Sequence, residues 1–350
     1  FNAAAWTEYG GCYAETATSA WIDSVDGMPP QAGRAAIVAY ATGFKTGFPD
    51  TKGDLQIVMV KDRQIAAMVV TYGRNTGTMK TPMGDMPPTN KTIGQLMVHL
   101  VTFDDHNLIA KEEWLQDQAT FIAQISMGTS PGRSAATLQP LPGAPIIVVA
   151  GGQPTETAIE ASNTAMTDAM NKHDVKALVA LFTPDAVVSD QTAPIDVTGS
   201  AAIKADIEGF LGAYPDGKMT TSMQFAAGDY LFARSEFTGT SDIETGPKTK
   251  LVKPVKMTVL EFSRFKDGKA AQVWRFFNMA AMDAQLGRGP TAAGDAPPDD
   301  PSGTAHSLDE GKMGPRKKPE DADADANAKQ AAGEDKTRED GVPSLKPMPN

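Results

Sequence analysis

Cysteine is nearly missing from this 350-residue chain, where Cys12 stands alone. One thiol closes no internal disulfide and rules out a multi-cysteine metal site. Histidine is almost as scarce, at His99, His106, His173 and His306, and no two of these have metal-ligand spacing. Long apolar runs are also lacking. The longest, 144–150 (APIIVVA), falls far short of the ~18 residues that cross a bilayer. Positive charge is in deficit, with 32 Lys and Arg against 43 Asp and Glu, a net −11 that argues against nucleic acid or an anionic membrane as main partner. No GxGxxG, P-loop or HExxH pattern occurs, so no nucleotide, flavin or metal cofactor is expected. Aromatic residues stop at Phe277. From Arg288 onward the chain is Pro, Gly, Ala and mixed charge, and it cannot bury enough apolar surface to fold alone. Residues 288–350 are therefore expected to be a disordered tail.

What is present is a duplication. The stretch 33–50 (GRAAIVAYATGFKTGFPD) returns 166 residues later as 199–216 (GSAAIKADIEGFLGAYPD), with nine of eighteen positions identical and no gap. Both copies space apolar residues for one helical face: Ile37, Tyr40, Phe44 and Phe48, then Ile203, Ile207, Phe210 and Tyr214. Each ends in aromatic-Pro-Asp, which stops a helix because the residue before proline is pushed out of the α region. A period this long is a repeated domain, not a solenoid repeat.

In chain order, 2–13 reads as the end of a helix and 16–24 as a strand, followed by the repeated helix. Strand patterns then cover 55–60, 65–72 and 93–103, with a polar, Met- and Pro-rich loop at 78–92 before the last. The turn Asp104–Asn107 leads to a final strand at 108–116 and a short closing helix at 119–127. Residues 128–154 hold five prolines and read as a linker, whose IIVV core (146–149) is expected to add a strand or pack on one domain. The second unit starts at a helix capped by Thr155 or Thr157, carrying Ile159, Met166, Ala169 and Met170 on one face. That helix breaks at Asn171–Asp174. Val175–Phe182 continues as a second helix, and Ala186–Asp190 answers the first unit's early strand. The expected fold is α+β: two tandem cone-shaped domains, each a curved, mostly antiparallel sheet wrapped around helices. The domains are expected at 1–127 and 155–287, and the first is expected to be N-terminally incomplete because the chain opens at Phe1 inside a helical pattern. No compartment can be assigned, and a leader peptide is neither visible nor excluded.

These residues, in this order and twice over, resemble the SnoaL-like polyketide cyclases, also grouped as ester cyclases, of the nuclear-transport-factor-2-like superfamily that includes ketosteroid isomerase and scytalone dehydratase. The resemblance rests on YAETA, the strand ending in Asp23, GRAAI, the aromatic-Pro-Asp helix end, Gly73 closing a strand, the Phe103-Asp104-Asp105 turn, and Trp114-Leu115-Gln116-Asp117 followed by Gln124. It implies an apolar cavity open to a small carbonyl compound, and cyclase or isomerase chemistry run by an acid/base on the last strand. By motif position that residue is Asp117. Pocket candidates beside it are Trp21, Asp23, His99 and Trp114. In the second unit Asn278 answers Asp117, Glu261 answers His99, and Asp190 keeps the Asp23 position. An amide takes up no proton at physiological pH, so the second unit reads as a binding or structural copy. Asp117 also has a plainer reading as N-cap of the closing helix, a task Asn278 performs equally well. Asp23 and Asp190 at strand ends also read as turn formers, and the rival to an enzyme is a non-catalytic ligand-binding or scaffold protein. Relatives often pair through their sheet faces, so the duplication is expected to form an internal pseudo-dimer within a monomeric chain.

Overall fold

In the computed structural model, residues 1–25, 29–81, 84–125, 132–135, 143–246 and 249–288 are described. The first half runs α1 (Trp6–Gly11), β1 (Tyr13–Trp21), β2 (Gln31–Ala32), α2 (Arg34–Gly47), β3 (Lys52–Lys61), β4 (Gln64–Arg74), β5 (Met79–Thr81), β6 (Gly84–Met86), β7 (Thr92–Phe103), β8 (Ile109–Leu115), α3 (Gln118–Gln124) and β9 (Ile146–Val149). The second runs α4 (Pro154–Asn171), α5 (Val175–Ala180), β10 (Phe182–Asp190), β11 (Val197–Thr198), α6 (Ser200–Ala213), β12 (Lys218–Ala227), β13 (Tyr230–Thr240), β14 (Ile243–Gly246), β15 (Thr249–Leu251), β16 (Pro254–Lys266), β17 (Lys269–Phe276) and α7 (Met279–Leu286). Each half is an α+β unit built on one sheet. The orders are β2-β1-β8-β7-β4-β3-β9 and β11-β10-β17-β16-β13-β12. All strand pairs are antiparallel except β1 with β8, β10 with β17 and β3 with β9.

The duplicated helices are α2 and α6. Each begins at a glycine with positive φ, Gly33 at 89° and Gly199 at 82°. That is the left-handed side of backbone space where only glycine is free of strain, which accounts for its presence in both copies. At the other end Phe48 and Tyr214 are buried, and the aspartates that follow proline reach across to a strand. Asp50 accepts from the Arg74 amide at 2.8 Å and Asp216 from the Thr240 amide at 2.6 Å. Two further repeated bonds fix helix to sheet. Gln124 clasps both backbone groups of Gly94, and Gln285 clasps those of Lys256. Asn2 holds Gly53 by two bonds, as Asn171 holds Met219.

Several sequence expectations shift in detail. The 78–92 stretch is not all loop, since β5 and β6 form a small hairpin arm answered by β14 and β15. The first helix ends at Gly11, and Tyr13 already belongs to β1. α4 is capped not by a threonine but by Gln153, with Glu156 completing a capping box and Pro154 at its first position. The IIVV core does add a strand, lying parallel to β3. The expected tail, apart from Arg288, lies outside the described residues.

The two sheets belong to one compact body and pack against each other through an apolar layer. Ile57, Met59, Met68, Val98 and Leu115 supply the first sheet's side, and Phe225, Phe232, Phe262 and Phe276 the second's. The opposite face of each sheet turns towards its own helices. Because strand side chains alternate, β8 sends Glu112 and Trp114, and the following Gln116, to the cavity of the first domain. It sends Glu113, Leu115 and the following Asp117 towards the second domain. β17 is arranged likewise.

Candidate active site

Between the first sheet and its helices lies a cavity of about 550 Å³. Its walls are rich in aromatic residues, among them Tyr9, Tyr13, Trp21, Tyr40 and Trp114, and His99 and Glu112 join them. Tyr9 belongs to α1, Tyr40 to α2, and the others to adjacent strands. Ser19 pairs with Glu112 and Trp21 with Trp114 across β1 and β8, while His99 pairs with Trp114 across β7 and β8.

Glu112 is the centre of a hydrogen-bonded set. Its Oε2 accepts from the Tyr13 hydroxyl at 2.9 Å and the Ser19 hydroxyl at 3.3 Å. Ser19 in turn accepts from the Trp114 indole N–H at 3.0 Å. The Tyr9 and Tyr13 hydroxyls are 3.0 Å apart, and the Trp21 indole donates to Tyr40 at 2.9 Å. The other carboxylate oxygen, Oε1, lies 3.7 Å from His99 Nδ1. Burial pushes Glu112 up to about 7, and the donors Tyr13, Trp114 and Ser19 only partly oppose it. Burial pushes His99 down to about 3, so its imidazole is neutral at ordinary pH. Burial and the nearby Glu112 carboxylate raise Tyr9 to about 12 and hold Tyr13 well above the usual phenol value. A carboxyl that titrates near neutrality, flanked by a neutral imidazole and phenols that keep their protons, is equipped for proton transfer.

The family model for the SnoaL-like polyketide cyclases matches residues 11–125, and that for the SnoaL-like domain matches 164–273. This chain carries two SnoaL-like domains in tandem. Similar solved structures include AclR of Streptomyces galilaeus, 26% identical, covering 39% of this chain and 89% of its own, with a TM-score of 0.35. IdmH of Streptomyces antibioticus is 25% identical over 37% of this chain and 98% of its own, at 0.33. A SnoaL-like protein of Jannaschia sp. CCS1 is 15% identical over 39% and 97%, at 0.36. Among proteins with curated descriptions, none matches the chain.

Strand register aligns the two SnoaL-like domains residue by residue. Glu112 and its donors Tyr13 and Ser19 are replaced by Val273, Phe182 and Val188, so the hydrogen-bonded set becomes wholly apolar. Trp21, Trp114 and His99 become Asp190, Arg275 and Glu261. Tyr40 becomes Asp206, at the equivalent turn of the repeated helix. The second cavity shrinks to about 160 Å³. Within it Arg275 donates to Glu261 at 2.8 Å. Burial lowers Arg275, but Glu261 and Asp190 outweigh it and hold the guanidinium above its ordinary value. The charges of this cavity are thus engaged with one another.

The predicted residues divide accordingly. Trp21, His99 and Trp114 meet at the first cavity, and Asp190 and Glu261 meet at the second. Asp190 does not keep the Asp23 position. It pairs with Arg275 as Trp21 pairs with Trp114, because the loop before the repeated helix is three residues shorter in the second domain. Asp190 also closes a turn by accepting from the amide and hydroxyl of Thr192. Asp23 lines neither cavity and accepts instead from the amide and hydroxyl of Thr258 in the second domain. Asp117 is a cap. Its oxygens accept from Ala119 N, Thr120 N, the Thr120 hydroxyl and, across the domain boundary, Met279 N. With four donors and no place in the cavity wall it has no oxygen to spare for a ligand, and the catalytic expectation is not kept. Asn278 mirrors it, capping α7 through Ala280 N and accepting from Gln118 N of the first domain. Glu112, Tyr13 and Tyr9 went unread in the sequence, yet a signal existed. Once Trp114 is placed in the cavity, alternation puts Glu112 beside it and Asp117 on the opposite face.

Proposed function

We propose that the first SnoaL-like domain is an acid–base catalyst of cyclase or isomerase type, acting on a small, mostly apolar carbonyl compound. The observation that carries this reading is the buried Glu112, stabilised on one oxygen by Tyr13 and Ser19 and facing His99 with the other, in a mostly apolar cavity rich in aromatic residues. Glu112 removes a proton from the carbon beside the carbonyl. The aromatic walls hold the ring system and exclude water, which strengthens each polar contact inside. The second domain, without the acid–base set, is a structural or binding copy.

The test is deuterium uptake by a small aryl ketone, 2-tetralone, at the carbon next to its carbonyl, followed by NMR in heavy water. The native chain is expected to speed uptake over buffer. Glu112→Gln, which keeps shape and removes the base, is expected to lose at least about 100-fold. Equal uptake by the two proteins defeats the catalytic reading. A ketone that raises the melting temperature without accelerated uptake supports the binding-protein alternative instead.

A further inference from the structure

Glu112 is only 4% exposed, so protons reach it through the cavity or through its hydrogen-bonded neighbours. One route is already hydrogen-bonded. Tyr13 spends its hydroxyl proton on Glu112 Oε2 at 2.9 Å. The proton in the 3.0 Å contact between the two tyrosine hydroxyls must therefore come from Tyr9. Donors thus point one way, from Tyr9 to Tyr13 to Glu112. The two rings pack at 5.3 Å between centroids, and both line the cavity. Tyr9 is the outer member, half-buried where Tyr13 is 2% exposed. In the second domain the Tyr13 position is Phe182 and no such chain exists, just as no carboxyl stands at the Glu112 position.

We propose that Tyr9 and Tyr13 form a two-hydroxyl proton relay for Glu112, with Tyr9 the residue that meets the oxygen of the bound carbonyl compound. The step balances. Glu112 takes a proton as the C–H bond breaks, and the electron pair moves to the carbonyl oxygen to give an enolate. Tyr9 gives its proton to that oxygen, Tyr13 gives its own to Tyr9, and Glu112 returns the captured proton to Tyr13. The broad two-fold terminal torsion of glutamate lets either carboxyl oxygen present that proton. One C–H bond has broken, one O–H bond has formed on the ligand, and all three side chains are restored. Run without ligand, the same relay exchanges the Glu112 proton with water.

This inference rests on the acid–base reading of the first cavity, but its test does not depend on finding a substrate. At about pH 5 Glu112 carries its proton, and its carboxyl infrared band is identified by its loss in Glu112→Gln. After rapid dilution of the full chain into heavy water, the shift of that band reports proton exchange at Glu112. Tyr9→Phe and Tyr13→Phe are each expected to slow it at least about tenfold. Tyr9→Phe touches neither carboxyl oxygen, so it keeps the test open if Tyr13→Phe fails to fold. Exchange at the native rate in a folded Tyr9→Phe protein overturns the relay. A slowed shift without ketone turnover in the native chain upholds the relay and rejects the proposed activity.

Discussion

Burial lifts Glu112 from the ordinary glutamate value of 4.5 to about 7. Between those pH values the folded chain keeps a proton that the unfolded chain has already released. Stability therefore falls as pH rises through this window, and the cost is fully present above about pH 7, on the order of 3 kcal/mol. Glu112→Gln has no such proton to lose. Its urea midpoint is expected to match or fall below the native one at about pH 5 and to exceed it at about pH 8. A native-minus-variant difference that stays constant across that range would show Glu112 to be an ordinary carboxylate. Legibility at this scale followed from residue type. Trp21, His99 and Trp114 stood out in the sequence because large or ionisable residues inside strands are few. Glu112 did not, because 109–115 (IAKEEWL) offers two adjacent glutamates and residue type alone does not tell them apart. Strand parity separates them, since Glu113 turns away to meet Arg234 of the second domain at 3.1 Å.

At the scale of elements, the repeated helix ends were legible because their chemistry is local: Gly33 and Gly199 at positive φ, proline after the last turn, and a cap at Asp117 and Asn278. The sequence did not reveal that these last two caps are exchanged between domains. Asp117 accepts from Met279 N at the start of α7, and Asn278 accepts from Gln118 N at the start of α3. Asn278 adds donors to the Asp23 carbonyl and the Gln118 side chain. Such contacts join residues some 160 positions apart, and no local pattern encodes them. Asp117→Asn turns one acceptor into a donor facing other donors, and it is expected to cost about 1–3 kcal/mol in denaturant unfolding while leaving ketone uptake intact. Asn278→Asp is expected to cost more. It sets a second buried carboxylate against Asp117 and the Asp23 carbonyl, and acid should restore part of the loss by protonating it. Loss of uptake at native stability in Asp117→Asn would return Asp117 to the catalytic set.

At the scale of the whole molecule, the duplication was plain from self-similarity, and face-to-face packing followed from the resemblance rather than from any residue. The packing has a consequence for assembly. The sheet faces meet inside one chain through the layer around Phe225, Phe232, Phe262 and Phe276, and fusion holds the halves at high effective concentration. Among the described residues no equivalent sheet face is left for a second copy. Among the described residues the exposed large apolar side chains include Leu55, Ile147 and Val149 on the β3–β9 edge, with Val25, Ile195 and Val252 elsewhere. The native chain is therefore expected to sediment as one species of about 37 kDa over a wide concentration range. Phe262→Asp buries a charge in the layer between the sheets. It is expected to unfold the protein or drive self-association through the exposed faces, because a lone buried carboxylate has no partner there. A stable native dimer would contradict the self-contained pseudo-dimer. Ile147→Lys would then locate the contact, since only a dimer built on the β9 edge is broken by a charge at that position.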